Sequence, residues 1–155
     1  VALDGSYYAY SRQRLVDEDV EALSEALSGS SSSAVRVSLR NHRITDVGAR
    51  ALARAVGKGA ISALDLSGNL EVGLDGYAVL AEAVGSEESV CVDLVLRRTQ
   101  GGDAGALELA KVVTKLEGLD VGACRLCCRG LVGLLAELRE KEGGLLRLGL
   151  DSPEL

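Results

Sequence analysis

The sequence has no Phe, no Trp and no Met, and only one proline and one histidine. Without large aromatics, a core must be filled by Leu, Val, Ile, Ala and a few of the four tyrosines. Such a set suits a thin, regular structure better than a globule built around one bulky centre. Nineteen glycines against a single proline mean that turns are made by glycine. No apolar run approaches the ~20 residues that a membrane-spanning helix needs. The opening VALDGSYYAY has no basic segment followed by an apolar block, so no signal peptide is expected. A basic tract is also missing and the formal net charge is −6, which excludes a nucleic-acid footprint.

What is present is a repeat. The 155 residues suffice for one domain, and a unit of the form L-x-L-x-x-(polar)-x-L-x-x-x-G-x-x-x-L-x-x-x-L fits them five times. Its copies are Tyr8, Tyr10, Gln13, Leu15, Asp19, Leu23, Leu27; then Val37, Leu39, His42, Ile44, Gly48, Leu52, Val56; then Leu64, Leu66, Asn69, Gly76, Leu80, Val84 with one residue inserted. The fourth is Leu94, Leu96, Thr99, Gly101, Gly105, Leu109, Val113, and the fifth Leu119, Val121, Cys124, Leu126, Gly130, Leu134, Leu138. A sixth begins at Leu148, Leu150, Pro153 and Leu155. From Tyr10 to Leu150 the mean step is 28 residues. Within each unit L-x-L alternates as a short strand does, and the spacing of four that follows marks one face of a helix. The glycine at each helix start is expected to let helix and strand approach closely. A strand of ~4 residues cannot bury its own face, so the units must stack into a parallel sheet backed by helices.

VSLRNHRITDVGARALARAV and LDLSGNLEVGLDGYAVLAEAV resemble ribonuclease-inhibitor-type leucine-rich repeats, and the resemblance covers roughly residues 7–155. It implies an α/β leucine-rich-repeat solenoid, a horseshoe with parallel short strands on the concave side and helices on the convex side. About five full repeats plus a terminal strand form a single domain over residues 1–155, read as a fragment or module of a larger protein. It also implies that the polar slot (Gln13, His42, Asn69, Thr99, Cys124, Pro153) bonds backbone groups at the turn and passes a hydrogen-bond ladder between units. Gly101 stands where an apolar turn residue belongs, so irregularity is expected over 97–104. SGSSSS (28–33) reads as a flexible connector.

Few residues suggest chemistry. Cys124, Cys127 and Cys128 crowd into five positions, a poor disulfide framework, and point to a reducing, intracellular, cytoplasmic setting with cytoskeletal or nuclear association open. Zinc would need four ligands, and only Cys91 and His42 remain, in other repeats; no metal and no cofactor are expected. His42 lies in the ladder slot and is assigned a turn role, Asp17–Asp19 favour a helix start by charge, and GGDAG (101–105) lacks the Lys-Ser/Thr of a phosphate loop. The chain is therefore read as a non-enzyme.

Strand parity instead places Tyr7, Arg36, Ser38, Arg40, Asp65, Asp93, Arg97, Asp120 and Arg147 on the concave face. This mosaic of Arg and Asp suits a partner protein of complementary charge. The expectation is a protein–protein interaction module or scaffold, within a larger chain or assembly, binding neither nucleic acid nor membrane. One alternative is a GTPase-activating protein, since the Ran GTPase activator is similar in repeat type, with Arg40 and Arg43 the nearest candidates. Another is a proteinaceous inhibitor of a hydrolase.

Overall fold

The computed structural model describes residues 1–5, 14–29, 33–140 and 145–150. Among them six strands alternate with five α-helices: β1 (Ala2–Asp4), α1 (Asp17–Ser28), β2 (Val35–Arg40), α2 (Asp46–Gly57), β3 (Ile61–Asp65), α3 (Leu74–Gly85), β4 (Asp93–Val95), α4 (Gly102–Ala110), β5 (Gly118–Asp120), α5 (Cys128–Glu140) and β6 (Arg147–Gly149). A 3-10 turn, Val113–Lys115, follows α4. All the strands are parallel and pair in chain order. This is an α/β repeat arrangement of the leucine-rich-repeat-like solenoid type.

The leucine pattern explains the stacking. Val37, Leu64, Leu94, Leu119 and Leu148 lie opposite one another from strand to strand. They pack with Leu39, Leu66, Leu96 and Val121, and with Leu52, Leu80, Leu109 and Leu134 from the helices, in one continuous core. No strand buries its inward side chains alone; the neighbouring unit does it.

The first strand is a correction. The sequence reading put it at Tyr8 and Tyr10, whereas β1 is Ala2–Asp4, with Leu3 opposite Leu39. Alternation of period two is satisfied by Tyr-x-Tyr and by Val-x-Leu alike, and only pairing with β2 decides between them. The helix of that unit does begin where the repeat places it. Tyr7, Tyr8, Tyr10 and Gln13 lie outside the described residues, as do Pro153 and Leu155 and residues 30–32 of the serine tract.

The polar ladder is built with different chemistry at each step. Asn69 makes it in full: Oδ1 accepts from Ile44 N at 3.3 Å, and Nδ2 donates to the Leu39 and Leu66 carbonyls at 2.7 Å each. His42 accepts from Leu15 N through Nδ1 at 3.2 Å, but its buried Nε2 has no hydrogen-bond partner among the described residues. Burial pushes the His42 pKa down, partly offset by the Leu3 backbone. The Cys124 thiol donates to the Leu96 carbonyl at 2.8 Å. Thr99 Oγ1 reaches no backbone group of the preceding unit: it donates to Leu96 O of its own unit at 2.7 Å and lies 3.5 Å from Cys124 Sγ.

At that weak step a residue from the neighbouring helix intervenes. The fully buried Tyr77 of α3 sets its hydroxyl 2.8 Å from Thr99 Oγ1. A Cβ on Gly101 would collide with the Tyr77 ring, and one on Gly105 would come within 2.6 Å of it. The ring thus fills the volume that Ile44, Val72 and Leu126 fill in their own units. Burial raises the Tyr77 pKa well above the usual tyrosine value. Over 97–104 the departure from the repeat lies at Gly102, with φ of 57°; the φ of 57° at Arg98 is regular, because the residue before the polar slot is also left-handed at Asn41, Gly68 and Ala123.

A second ladder, absent from the sequence reading, joins the helix starts. Asp17 Oδ1 accepts from Thr45 N at 2.9 Å and Gly48 N at 3.0 Å, while its Oδ2 accepts from Thr45 Oγ1 at 2.7 Å. Asp46 Oδ1 accepts from Gly73 N at 2.7 Å and Gly76 N at 2.9 Å. Asp103 Oδ1 accepts from Cys127 N at 2.7 Å. Each carboxylate satisfies N–H groups that the next helix leaves unpaired in its first turn. The glycine role is corrected accordingly: a Cβ at Gly76 would stand 2.7 Å from Asp46 Oδ1, so glycine admits the neighbouring carboxylate rather than a strand. In α3 the equivalent position is Leu74, and the N–H of Gly102 goes instead to the Cys124 carbonyl at 2.9 Å.

Candidate protein-binding face

The parity that turns leucines toward the helices turns charged residues to the other side of the sheet. Arg36, Ala63, Asp93, Gly118 and Arg147 lie opposite one another on β2 to β6. Ser38, Asp65, Val95, Asp120 and Gly149 form the adjacent row. Side chains from both rows line an open groove of about 840 Å³.

The charges on this face are paired with one another. Arg36 donates to Asp93 Oδ2 at 2.7 Å, and Arg147 donates to Asp93 Oδ1 at 2.5 Å. Each arginine reaches across a strand carrying a small residue, Ala63 on one side and Gly118 on the other. A Cβ at Gly118 would stand 3.0 Å from the Arg147 guanidinium and collide with the Asp93 carboxylate. Arg40 pairs with Asp65 at 2.5 Å, and Arg97 lies 4.0 Å from Asp120. Asp65 Oδ1 also accepts from Ser67 N and Oγ, and Asp120 Oδ1 from Gly122 N.

Depth separates the two signs. The Arg36 and Arg147 side chains are 74% and 71% exposed, whereas Asp93 is 13% exposed. Arg40 at 52% and Asp65 at 12% repeat the arrangement. The carboxylates form a floor and the guanidinium groups stand above it. Ion pairs of this exposure contribute ~0–1 kcal/mol each, so they set the side-chain directions more than they hold the fold.

The structure brings Arg36, Asp93 and Arg147 into one cluster and Arg40 and Asp65 into another, with Ser38 between them on β2. Asp120 lies in the second row on β5 and lines the groove, with Arg97 beside it, and Tyr7 is outside the described residues. The three-residue cluster was missed at first because its partners are 57 and 54 positions apart. Once the repeat register is counted, all three fall in one row, and that signal was available.

The other candidates occupy separate places. All four cysteines are free thiols; Cys91 and Cys124 are buried, and Cys127 and Cys128 are exposed. Burial pushes the Cys91 thiol up to about 11. The Cys127 thiol donates to Asp103 Oδ2 at 2.6 Å, and this bond with that from Cys127 N holds the Asp103 carboxyl below its usual range. Among the described residues no group of His, Cys, Asp and Glu is placed to hold a metal ion, and no helix is long and apolar enough to cross a membrane. Arg43, the other arginine weighed for GTPase stimulation, is exposed next to the His42 turn.

No family model and no curated protein matches the sequence. Among solved structures 43 chains match, one of them titled leiomodin-1 actin-binding site 2. That match has 20% identity and a TM-score of 0.63, and covers 92% of this chain and 81% of the other. At this identity the likeness is one of fold.

Proposed function

We propose that this chain is a non-enzymatic protein-interaction module whose binding surface is the sheet face carrying Arg36, Arg40, Asp65, Asp93 and Arg147. In this reading the strands line the concave side of a ribonuclease-inhibitor-type horseshoe of five full repeats and a terminal strand. The observation that carries it is the open groove lined by cross-strand Arg–Asp clusters, with guanidinium groups exposed above sheltered carboxylates. Rigid strands hold these groups in place before a partner arrives, which limits the ordering cost of association. The structural neighbour's title names an actin-binding site, which supports a protein partner in general terms. Exposed apolar side chains at Val132, Leu135 and Leu146 support a place within a larger chain or assembly.

The test is affinity purification from native extract with the wild-type chain and with the triple charge reversal Arg36→Glu/Arg40→Glu/Asp65→Arg. Partner recovery is expected to drop in the variant. Recovery unchanged from wild type moves the contact off this face.

A further inference from the structure

We propose that the Arg36–Asp93–Arg147 cluster is a preorganised fork for side-chain carboxylates, and that the segment docking on this face is an acidic, extended stretch of a partner protein. The inference rests on the sheet face being the binding surface and adds the chemistry of what binds there.

The hydrogen-bond inventory carries it. Each guanidinium offers five N–H donors. Among the described residues Arg36, Arg40 and Arg147 each make one side-chain hydrogen bond to an aspartate on the floor. The acceptors beneath are engaged: both Asp93 oxygens take an arginine, and Asp65 accepts from Arg40 and from Ser67. Over the β2–β4 part of the face the groups left exposed at the rim are therefore guanidinium donors, while Asp120, 30% exposed, stands apart on β5. A lysine-bearing partner would meet carboxylates sheltered beneath the arginines that they already bind; a glutamate or aspartate would meet exposed guanidinium N–H groups in the planar geometry that binds a carboxylate through two bonds.

Charge and shape agree with this. Asp93 is one negative group between two positive ones, so the cluster carries a net positive charge of one. The same carboxylate draws the two arginines toward each other from strands on either side, aiming both at one space above β4. Ala63 and Gly118 keep that space clear of side chains. The row from β2 to β6 covers four inter-strand spacings, roughly 19 Å at about 4.8 Å each, which an extended peptide spans with about six residues.

The experiment is fluorescence anisotropy at low salt on the full chain. The probe is a labelled Gly/Ser peptide carrying four glutamates, compared with the same peptide bearing glutamines and with one bearing phosphoserines. The glutamate peptide is expected to bind, the glutamine peptide not to bind, and added salt to weaken the complex. Arg36→Gln/Arg147→Gln is expected to weaken binding about tenfold or more, while Arg54→Gln, at a helix-side ion pair with Glu21, leaves it unchanged. Circular dichroism confirms that each variant is folded. Absence of glutamate-peptide binding overturns the proposal, as does binding undiminished in the double variant, or binding of the phosphoserine peptide alone. Should the peptide fail while the triple charge reversal still abolishes partner recovery, the carboxylate fork falls and the binding face stands. Should recovery also survive the reversal, both fall.

Discussion

Replacing Tyr77 by Ala and Gly101 by Leu, singly and together, tests whether one helix side chain substitutes for the missing turn residue of the next unit. Tyr77 is fully buried, and losing its ring leaves a cavity at a cost of ~3–5 kcal/mol. Losing the hydroxyl removes one partner of the buried Thr99 Oγ1, a share of about 1 kcal/mol that Tyr77→Phe isolates. Gly101 has φ −64° and ψ −36°, a conformation open to any L residue, and the nearest atoms that a side chain there would meet are those of the Tyr77 ring. Overpacking against it costs ~1–3 kcal/mol. If the two sites were independent the losses would add to ~4–8 kcal/mol, comparable to the whole stability of a marginal domain. In the double variant the introduced leucine side chain takes the space the ring vacates, as Leu126 does in its own unit, and ~1–3 kcal/mol of the sum is expected to be regained. Urea unfolding followed by far-ultraviolet circular dichroism gives midpoint and slope for all variants. Losses additive to within ~0.5 kcal/mol would refute the substitution.

Asp46→Ala is expected to cost ~1–2 kcal/mol by unpairing Gly73 N and Gly76 N, whereas Asp75→Ala, one residue beyond Leu74 on the exposed helix start, stays within ~0.5 kcal/mol; thermal melts of both decide. His42 has a folded pKa below its unfolded value of about 6.5, so the unfolded chain binds the extra proton and stability falls as pH drops through about 6.5. His42→Asn is expected to flatten that part of the profile between about pH 7.5 and 5, and an unchanged slope assigns the loss to other groups. Alkylation of the native chain near pH 8 is expected to modify Cys127 and Cys128 quickly and to spare Cys91 and Cys124 until denaturant is added; four equally fast thiols would contradict the described burial.

The sequence reading identified the inward residues well where a strand and a helix repeated the same spacing, as from Val37 to Leu134, because burying those side chains is what drives the units to stack. It placed the first strand wrongly because Tyr8 and Tyr10 mimic an alternation that Leu3 fulfils by pairing with Leu39. The outward-facing residues of the described strands were also legible from parity, but their pairing was not. Arg36 meets Asp93 across an intervening strand, and such a contact depends on register and on the smallness of Ala63, which no local pattern expresses. Two clues were present and passed over. An aspartate recurs just after the turn at Asp17, Asp46 and Asp103, and a tyrosine stands at position 77, where the corresponding residues of α2 and α4 are Ala49 and Ala106, one unit before the turn residue reduced to Gly101.

The aspartate ladder gives the stack a direction. Each helix start from α2 onward that takes part receives its acceptor from the helix before it, while α1 closes its own first turn through Val16 N and Asp19 Oδ2 at 3.0 Å. Within this ladder, shortening the array after α2 strands the Asp46 carboxylate, which water solvates readily. Shortening it before α2 takes away the acceptor for Thr45 N and Gly48 N and leaves bare donors in a helix that must still fold. Along the helix starts dependence therefore runs forward, while at the turns the Asn69 ladder runs backward, Ile44 N taking its acceptor from the unit that follows, so an inner unit relies on both neighbours.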